Sequence, residues 1–547
     1  MMAIKHSWWP NHSSKRIRLG LALGITGLSI VLKIVLLTIG AFPFNADEAV
    51  VGLMARHILQ GAHPIFFYGQ AYMGSLDAWL VALGFALLGE HVEVIRLVQI
   101  LLYALTVFSA ILLGWMLWED RRIGVLAGVF LAIPNVNVTL YTTVSLGGYG
   151  EALLIGNLIL MTTVTLARKA QHQAATVRDP WELWGLLGFW MGLGLWVHGL
   201  TLVYSVPAVG VLLWHLKHQR RMAKQLALLG VGFVVGAWPW WYFALTQGWK
   251  PLLTELLGSA VAVEAGSWWQ KLLQHAFNLV ILGSTVTLGF RPPWAVQWLG
   301  LPLMPFVLSL WMFVAWDGIR YWRSKKSISF ADMLFAGIGL TLVAGFLFTS
   351  FGVDPSGRYF LPLALPLAFW AARWILRLQP KGLRLACAGL IPLYHLWGIV
   401  ACAAQNPPGI TTQFYAPTQI DQRHLPALSA FLKQTGETRG YSNYWVAYPL
   451  AFISQEELIF TPRLPYHLDL RYTSRDDRYP PYALMVSQSE RVAYVTTNNP
   501  ALDDYLKQAF TRLGISYQEA HIGDYRIYYR LSRPVHPQEI GLGETRP

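Results

Sequence analysis

Two adjacent carboxylates, Asp47 and Glu48, follow the first long apolar stretch of the chain. Asn45 precedes them and Glu48 stands three residues after it, which is capping-box spacing, so the sequence predicts a helix that begins here. Met54 and Ile58 fall on the same side of that helix as Asp47, so the helix can rest on a membrane surface with a carboxylate at its edge. Such a carboxylate can act as a general base, or it can merely complement the helix dipole.

Three basic residues are placed where they could bind an anion. Arg358 stands directly before a predicted span, and its planar guanidinium can hold phosphate oxygens through two hydrogen bonds. It can also be an interfacial arginine that extends to water. Lys33 lies inside the first apolar stretch, where a lysine can face a cavity or a partner such as Glu151, or can equally extend to the membrane surface. Arg291, followed by two prolines and a tryptophan, lines an acceptor site or forms a rigid turn.

Further acidic and histidine side chains are candidates for acceptor or metal binding. Glu151 begins the predicted fourth span, where it can contact an acceptor or complement the helix dipole. Asp77 opens another helix and is interpreted first as structural. His57 and His63 are six residues apart and lack the i, i+4 spacing of a helical metal site. The sequence therefore predicts no dedicated metal and no required cofactor.

Composition identifies the class of protein. Of the 547 residues, 54% are hydrophobic and 13% are charged, and the mean hydropathy is +0.41. About a quarter charged is usual for soluble domains. These values predict a protein embedded in a lipid bilayer, and they exclude a disordered, collagen-like or coiled-coil chain. The net charge is +13. In such a protein, Lys and Arg residues are expected to mark the cytoplasmic side of the membrane rather than to bind nucleic acid.

Apolar runs predict an all-α polytopic domain with about eleven spans. They lie near 19–41, 97–118, 123–140, 150–167, 182–198, 200–214, 225–245, 300–317, 332–351, 359–379 and 383–404. The distribution of Lys and Arg places the N-terminus in the cytoplasm. Residues 42–96 are then outward juxtamembrane helices. Counting 76–89 as a span would invert the later segments and break the charge asymmetry.

The chain changes character after residue 404. Charge rises, and alternating patterns at 491–495 and 525–529 predict strands. Helical spacing over 502–510 ends near Gly514. We therefore predict a transmembrane domain over 1–404 and a small extracytoplasmic α/β domain over 405–547.

Three motifs, together with the Asp-Glu pair, resemble one family in order along the chain. They are FYGQAYMGSL at 67–76, GGYGE at 147–151 and GRYFLP at 357–362. The pattern is similar to polyprenyl-phosphate-dependent glycosyltransferases of the C-type fold, which include protein O-mannosyltransferases and lipid A aminoarabinose transferases. The bacterial family 39 branch is the most similar. Position 151 departs from the family, because many relatives have Asp there.

The resemblance implies a sugar donor on polyprenyl monophosphate and an unknown acceptor whose hydroxyl attacks with inversion at the outer face of a bacterial inner membrane. Asp47 then matches the catalytic base, and Glu48 would orient it or bind the acceptor. The remaining expected site residues are Arg358, Lys33 and Tyr359 at the donor phosphate; Glu151, Tyr149 and Asp77 at the acceptor; and Tyr68, Gln70, Tyr72, His57 and Arg291 around the substrate cavity.

Two other functions fit a chain of this kind. A transporter or flippase of lipid-linked sugars also needs many spans, but it predicts polar residues near mid-membrane in paired halves. An oligosaccharyltransferase that uses a diphosphate carrier shares the architecture. Residues 442–445, Ser-Asn-Tyr-Trp, lack the Trp-Trp-Asp-Tyr-Gly signature of that family.

Overall fold

Helices make up most of the structure. The computed structural model describes residues 12–171, 181–216, 222–257, 266–324 and 328–543. The helices before residue 404 are α1 His12–Thr38, α2 Ala46–Leu59, α3 Leu76–Leu88, α4 Val92–Leu117, α5 Arg122–Ala132, α6 Val136–Tyr141, α7 Tyr149–Gln171, α8 Trp181–Val197, α9 Leu202–Leu216, α10 Met222–Gly236, α11 Trp238–Gln247, α12 Trp249–Leu256, α13 Trp268–Phe277, α14 Ser284–Thr287, α15 Met304–Ser324, α16 Phe330–Phe348, α17 Ala364–Arg377 and α18 Lys381–Ala403.

Several of these helices are long and apolar enough to cross a membrane. The described ranges contain six such segments, and a seventh results if α10 and α11, bent by 67° at their junction, count as one. The six are Arg16–Thr38, Val92–Leu117, Tyr149–Lys169, Phe330–Phe348, Arg358–Arg377 and Lys381–Ala403. The chain is therefore a multi-pass membrane protein, as its composition predicts.

Breaks in the helices explain why fewer than eleven reach full length. The predicted span 123–140 is divided at Pro134 into α5 and α6, because proline cannot continue a helix. α5 alone is about 16 Å long, roughly half the apolar thickness of a bilayer. The predicted spans 182–198 and 200–214 correspond to α8 and α9, which are separated by a short turn at Gly199–Thr201.

α2 begins shortly after the end of the first span, and α3 follows it along the chain. Asn45 accepts a hydrogen bond from the Glu48 amide, and the Glu48 side chain returns to the Asn45 amide, so the predicted capping box is confirmed. With 14 and 13 residues, α2 and α3 are each about 20 Å long. Both are therefore shorter than the apolar core of a bilayer.

The tail contains a five-stranded mixed sheet. Its strands are β1 Arg439–Tyr441, β2 Ile459–Thr461, β3 Ala493–Thr497, β4 Gln518–Ile522 and β5 Tyr525–Tyr529, in the order β2-β1-β3-β5-β4. β1 pairs in parallel with β2 and β3, whereas β5 pairs antiparallel with β3 and β4. The helices are α19 Leu425–Thr435, α20 Tyr444–Ile453, α21 Pro480–Ser487 and α22 Pro500–Arg512. The predicted strands near 491–495 and 525–529 and the helix at 502–510 are present.

The tail and α2–α3 share one apolar core. Buried residues of α2 and α3, such as Met54 and Phe85, belong to the same cluster as Tyr448 and Phe452 of α20. A Cβ on Gly52 of α2 would lie 2.6 Å from the Phe452 ring, so only glycine allows α20 to approach this closely. α20 is therefore held directly against the helix that carries the Asp-Glu pair.

Candidate active site

Glu48 is part of the scaffold. Its side chain is completely buried. Arg96 of α4 donates a hydrogen bond to each carboxylate oxygen, from Nε at 2.8 Å and from Nη2 at 2.9 Å. The capping interaction with Asn45 uses the same carboxylate. No oxygen remains for a substrate, so the structure does not support the expected catalytic role of Glu48. Adjacent helix positions point about 100° apart, which is why this carboxylate faces α4.

Removing the partner of this buried carboxylate should destabilise the fold. In Arg96→Gln, Glu48 stays buried without a compensating charge, and we expect a loss of about 3–5 kcal/mol in unfolding free energy. Arg122→Gln is the matched control, because the Arg122–Asp120 pair is exposed and should contribute at most about 1 kcal/mol. Thermal unfolding in detergent measures both. Equal shifts in the two variants would contradict a structural role for the buried pair.

Asp47 is half-buried and is bound from the tail. The Tyr444 hydroxyl donates a hydrogen bond of 2.5 Å to Asp47 Oδ1. Within the part of the chain that the structure describes, no side chain or amide donates to Oδ2. One oxygen is thus fixed, and the other is free to accept a proton.

Charged and phenolic groups surround this carboxylate. Burial raises the pKa of Tyr72, the charges of Arg358 and Arg478 oppose that shift, and Asp47 adds to it. Tyr72 therefore lies within electrostatic range of all three charges. Asp476 of the tail is also nearby: burial raises its pKa to about 7, with Arg478 opposing the shift and Asp47 adding to it. Arg358 of the helical part of the chain and Arg478 of the tail therefore both act on this site.

Arg358 lies in a turn that precedes α17. Its guanidinium forms an ion pair with Asp354 and lies over the Tyr359 ring, 5.0 Å from the centroid. Arg358 Nε is buried without a hydrogen-bond partner, as are the hydroxyls of Tyr359 and Tyr149. Unpaired buried donors are rare in folded proteins. This group of donors can therefore bind an anion such as a phosphate.

Arg291 supports the turn that carries Arg358. It is buried, and its NH2 group donates to the carbonyls of Pro355, at 2.8 Å, and Leu282, at 2.9 Å. These contacts fix the chain beside Asp354, the ion-pair partner of Arg358. Arg291 was expected to line the substrate cavity, and the structure instead places it behind the site.

Two of the sequence motifs contact each other. Gly147 and Gly148 have φ of 86° and 80°, a backbone conformation that favours glycine. A Cβ on Gly147 would lie 3.1 Å from Met73 Sδ in the first motif. The tight turn allows Tyr149 to open α7 beside this loop.

An imidazole that the sequence did not single out lies between these motifs. The buried His198 ring is 4.7 Å from Tyr149 and 5.8 Å from Tyr72. His198 thereby links the loop at 67–76 to α7.

Glu151 and Asp77 form a separate acidic pair. Both are buried, and their carboxyl groups interact with each other. Asp77 accepts hydrogen bonds from Gln99, at 2.8 Å, and Ser145, at 2.5 Å, whereas neither Glu151 oxygen has a protein donor. Burial and their mutual repulsion disfavour ionisation of both carboxyl groups at once. Among the described residues, no hydrogen bond connects this pair to Asp47.

Lys33 lies away from the expected phosphate site. Its Nζ donates to the Thr142 carbonyl and hydroxyl, at 2.7 and 2.8 Å, and to the Thr143 hydroxyl, at 2.7 Å. An ammonium group has three donors, so all of them are used. The structure therefore gives Lys33 a role in joining α1 to the segment after α6, in place of donor binding or a pair with Glu151.

His57 and Tyr68 join α2 to the tail. His57 Nδ1 is 2.9 Å from the Tyr68 hydroxyl, and His57 Nε2 is 3.0 Å from Glu456 Oε1. Burial alone would raise the pKa of Glu456, but hydrogen bonds from His57, Tyr482 and Arg56 lower it to about 2. Glu456 is therefore ionised in neutral solution, and this network is a docking contact rather than a substrate cavity.

Gln70 contacts a tail residue that sequence reasoning missed. With its oxygen turned towards Arg478, the Gln70 amide accepts hydrogen bonds from both terminal nitrogens of that guanidinium, at 2.9 Å for NH2. Arg478 also lies over the rings of Phe67, at 5.9 Å, and Tyr444, at 5.4 Å. No sequence motif pointed to Arg478, and Tyr444 was named only within residues 442–445, which lack the oligosaccharyltransferase signature.

Two neighbouring cavities lie along the helix that follows the Arg358 turn. A small void lined by Phe360, Leu367 and Trp311 lies next to a larger cavity of about 390 Å³ that shares Leu367 and Trp311 and is also lined by Asp317, Asp332, Arg373 and Arg377. The larger cavity lies between α15 and α17. Within the described ranges, no group of three or more His, Cys, Asp or Glu side chains is arranged to hold a metal ion.

Sequence comparisons place the chain near one group of enzymes. A family model described as dolichyl-phosphate-mannose-protein mannosyltransferase matches residues 75–243. An undecaprenyl phosphate-alpha-4-amino-4-deoxy-L-arabinose arabinosyl transferase of Pseudomonas aeruginosa PAO1 is 25% identical over 331 residues, 59% of this chain and 54% of the relative. The transferase of that name from Pectobacterium carotovorum is 24% identical over 306 residues, 55% and 49% of the two chains. The chain spans about half the length of the curated relatives it matches.

Solved structures give the fold. The crystal structure of ArnT from Cupriavidus metallidurans bound to undecaprenyl phosphate matches with a TM-score of 0.58 and 14% identity, over 92% of this chain and 98% of that one. The Archaeoglobus fulgidus oligosaccharyltransferase in its apo form matches with a TM-score of 0.52 and 14% identity, over 88% and 69%. The resemblance to C-type membrane glycosyltransferases that the motifs predicted is confirmed at the level of the fold.

Proposed function

We propose that this protein is an integral-membrane inverting glycosyltransferase, which moves a sugar from a polyprenyl-phosphate donor to an acceptor hydroxyl. The observation that carries the proposal is the environment of Asp47. Tyr444 donates a hydrogen bond to one of its carboxylate oxygens, and the other oxygen is free. Asp47 and Arg358 both act electrostatically on the Tyr72 hydroxyl, so a carboxylate and a cation lie near the same side chain. A base and an anion-binding cation are the two groups that such a transfer requires.

The proposed reaction is a single displacement at the anomeric carbon. The acceptor oxygen attacks from the face opposite the phosphate, its proton passes to Asp47 Oδ2, and the bond between the anomeric carbon and the phosphate oxygen breaks. The products are the glycosylated acceptor and polyprenyl phosphate, with inverted configuration. Arg358 binds the phosphate as negative charge grows on it, and partial burial makes this interaction stronger than in water.

The cavity along α17 provides a place for the prenyl chain. The small void lies beside Phe360, two residues after Arg358, and the larger cavity next to it has Trp311, Val314 and Trp370 in its walls, with charged residues such as Arg373 also lining it. A lipid whose phosphate binds Arg358 can therefore extend its tail between α15 and α17. The undecaprenyl phosphate named with the Cupriavidus metallidurans structure supports this class of donor.

The predicted topology places this chemistry outside the cytoplasm. We propose about eleven crossings, with the shorter helices counted, a cytoplasmic N-terminus and an extracytoplasmic tail domain over 405–547 after a membrane domain over 1–404. The asymmetric distribution of Lys and Arg supports this orientation in a bacterial inner membrane. The transfer as written needs no metal or other cofactor, and the acceptor can be a lipid, glycan or protein.

A transporter is the alternative that the sequence left open. Alternating access requires polar groups near the middle of the membrane at the interface of paired halves. Here Asp47, Arg358 and Arg478 each act electrostatically on the Tyr72 hydroxyl. This clustering of charges around one side chain favours the transferase.

Release of free polyprenyl phosphate tests the proposal. Purified protein is incubated with a panel of polyprenyl-phosphate sugars and a membrane extract that supplies acceptor, and released lipid is measured by mass spectrometry. We expect release from one donor, matched by sugar transferred to the extract. Absence of release from every donor, combined with movement of a labelled donor across proteoliposomes, would favour the transporter.

A further inference from the structure

α20 of the tail begins at the candidate base. Asn443 caps this helix by accepting a hydrogen bond from the Trp445 amide, which places Tyr444 at its first position. The Tyr444 hydroxyl then donates to Asp47 Oδ1 at 2.5 Å, across 397 residues of sequence. A short hydrogen bond to a carboxylate is among the stronger contacts in proteins. The tail therefore contacts the proposed base itself.

Arg478 holds Tyr444 from the other side. Its guanidinium lies 5.4 Å above the Tyr444 ring, and its backbone amide donates to the Tyr448 hydroxyl at 2.6 Å. Arg478 is buried, and the charges of Asp47 and Asp476 stabilise its cationic form. The side chain therefore fixes the ring and adds positive charge beside the proposed base.

The loop of the first sequence motif completes this contact. Gln70 faces the guanidinium, and Gly69, with φ of 71°, lies against it. A Cβ on Gly69 would be 3.1 Å from Arg478 Cδ and 3.2 Å from its Cα. Arg478 thus contacts both the loop at 67–76 and the ring of Tyr444, whose hydroxyl binds Asp47.

We propose that the tail is part of the catalytic centre, with Tyr444 and Arg478 as positioning residues for Asp47. Tyr444 fixes Asp47 Oδ1 and so directs Asp47 Oδ2 towards the acceptor. Arg478 fixes the Tyr444 ring against the loop at 67–76. This inference rests on the proposed function for the role of Asp47. It assigns the tail a part in the chemistry, beyond recognition of an acceptor or support of the outer loops.

Tyr444→Phe isolates the hydroxyl, because it keeps the ring that Arg478 and Trp445 contact. Loss of a hydrogen bond to a charged group should lower kcat by about tenfold or more, with the KM for donor unchanged.

Tyr505→Phe is the matched control. It removes a tail hydroxyl that donates to the Ile540 carbonyl, and it should leave kcat and the KM for donor unchanged. Arg478→Lys should recover part of the activity lost in Arg478→Gln, because it restores the charge without the planar group. A purely structural role would lower the yield of folded protein without lowering kcat per folded molecule.

Carboxyl labelling tests the contact without relying on activity. The rate at which carbodiimide and glycine ethyl ester modify Asp47 is read by mass spectrometry, with exposed Asp504 as internal reference. We expect several-fold faster labelling in Tyr444→Phe and Arg478→Gln, and no change in Tyr505→Phe. Faster labelling without any transfer by the wild type would retain the contact and reject the proposed function. Unchanged labelling and kcat in Tyr444→Phe would overturn the inference.

Discussion

Asp47→Asn is expected to abolish measurable transfer while leaving the protein folded and able to bind donor. The amide keeps the size and shape of the carboxylate, and its oxygen can still accept the hydrogen bond from Tyr444. It cannot take the acceptor proton. General bases contribute roughly 10²–10⁴ in rate, so we expect kcat to fall about a thousandfold, equivalent to about 4 kcal/mol of transition-state stabilisation.

Three measurements separate loss of the base from loss of the fold. Released polyprenyl phosphate gives kcat, equilibrium binding of the donor gives Kd, and thermal unfolding in detergent gives Tm. Asp504→Asn makes the same chemical change at an exposed position of α22 and should match the wild type in all three. If Asp47→Asn retained near-normal kcat, Asp47 would be excluded as the base.

Local sequence signals predicted the start of α2 and two strands of the tail. The capping box at Asn45 and Glu48 depends on residues three apart, and the strands near 493 and 525 depend on alternation within five residues. Such short-range interactions can be predicted because they depend on neighbouring residues alone. The two glycines before Tyr149 were named only as part of the GGYGE motif, and the structure shows that both adopt φ values that favour glycine.

Long-range contacts could not be predicted in the same way. Sequence alone does not distinguish Asp47 from Glu48, since the difference arises from which side of α2 meets Arg96 and which meets Tyr444. Lys33 lies in an apolar stretch, and its acceptors are a carbonyl and hydroxyls of Thr142 and Thr143, more than 100 residues later.

Arg358→Ala is the second large effect that we expect, with kcat lower by about 10²–10³. That is the usual loss when one group that stabilises developing charge is removed. The Arg358 Nε has no partner, and the adjacent Tyr359 hydroxyl has none either, so a donor phosphate can bind here while the ion pair with Asp354 is retained. Donor concentration at half-maximal rate should also rise, because the same cation binds the ground-state phosphate.

The ion pair with Asp354 requires a test that separates phosphate binding from loop structure. Arg358→Ala leaves Asp354 without its cation, so Asp354→Asn/Arg358→Ala removes both charges and restores the balance in the turn. If Arg358 acts on the donor, the double variant stays as inactive as the single one, and Arg358→Lys recovers part of kcat. Arg423→Ala breaks an exposed Arg–Asp pair in the tail and should change nothing. Recovery of full activity in the double variant would show that Arg358 serves only to hold the turn, and the phosphate site would then have to lie elsewhere.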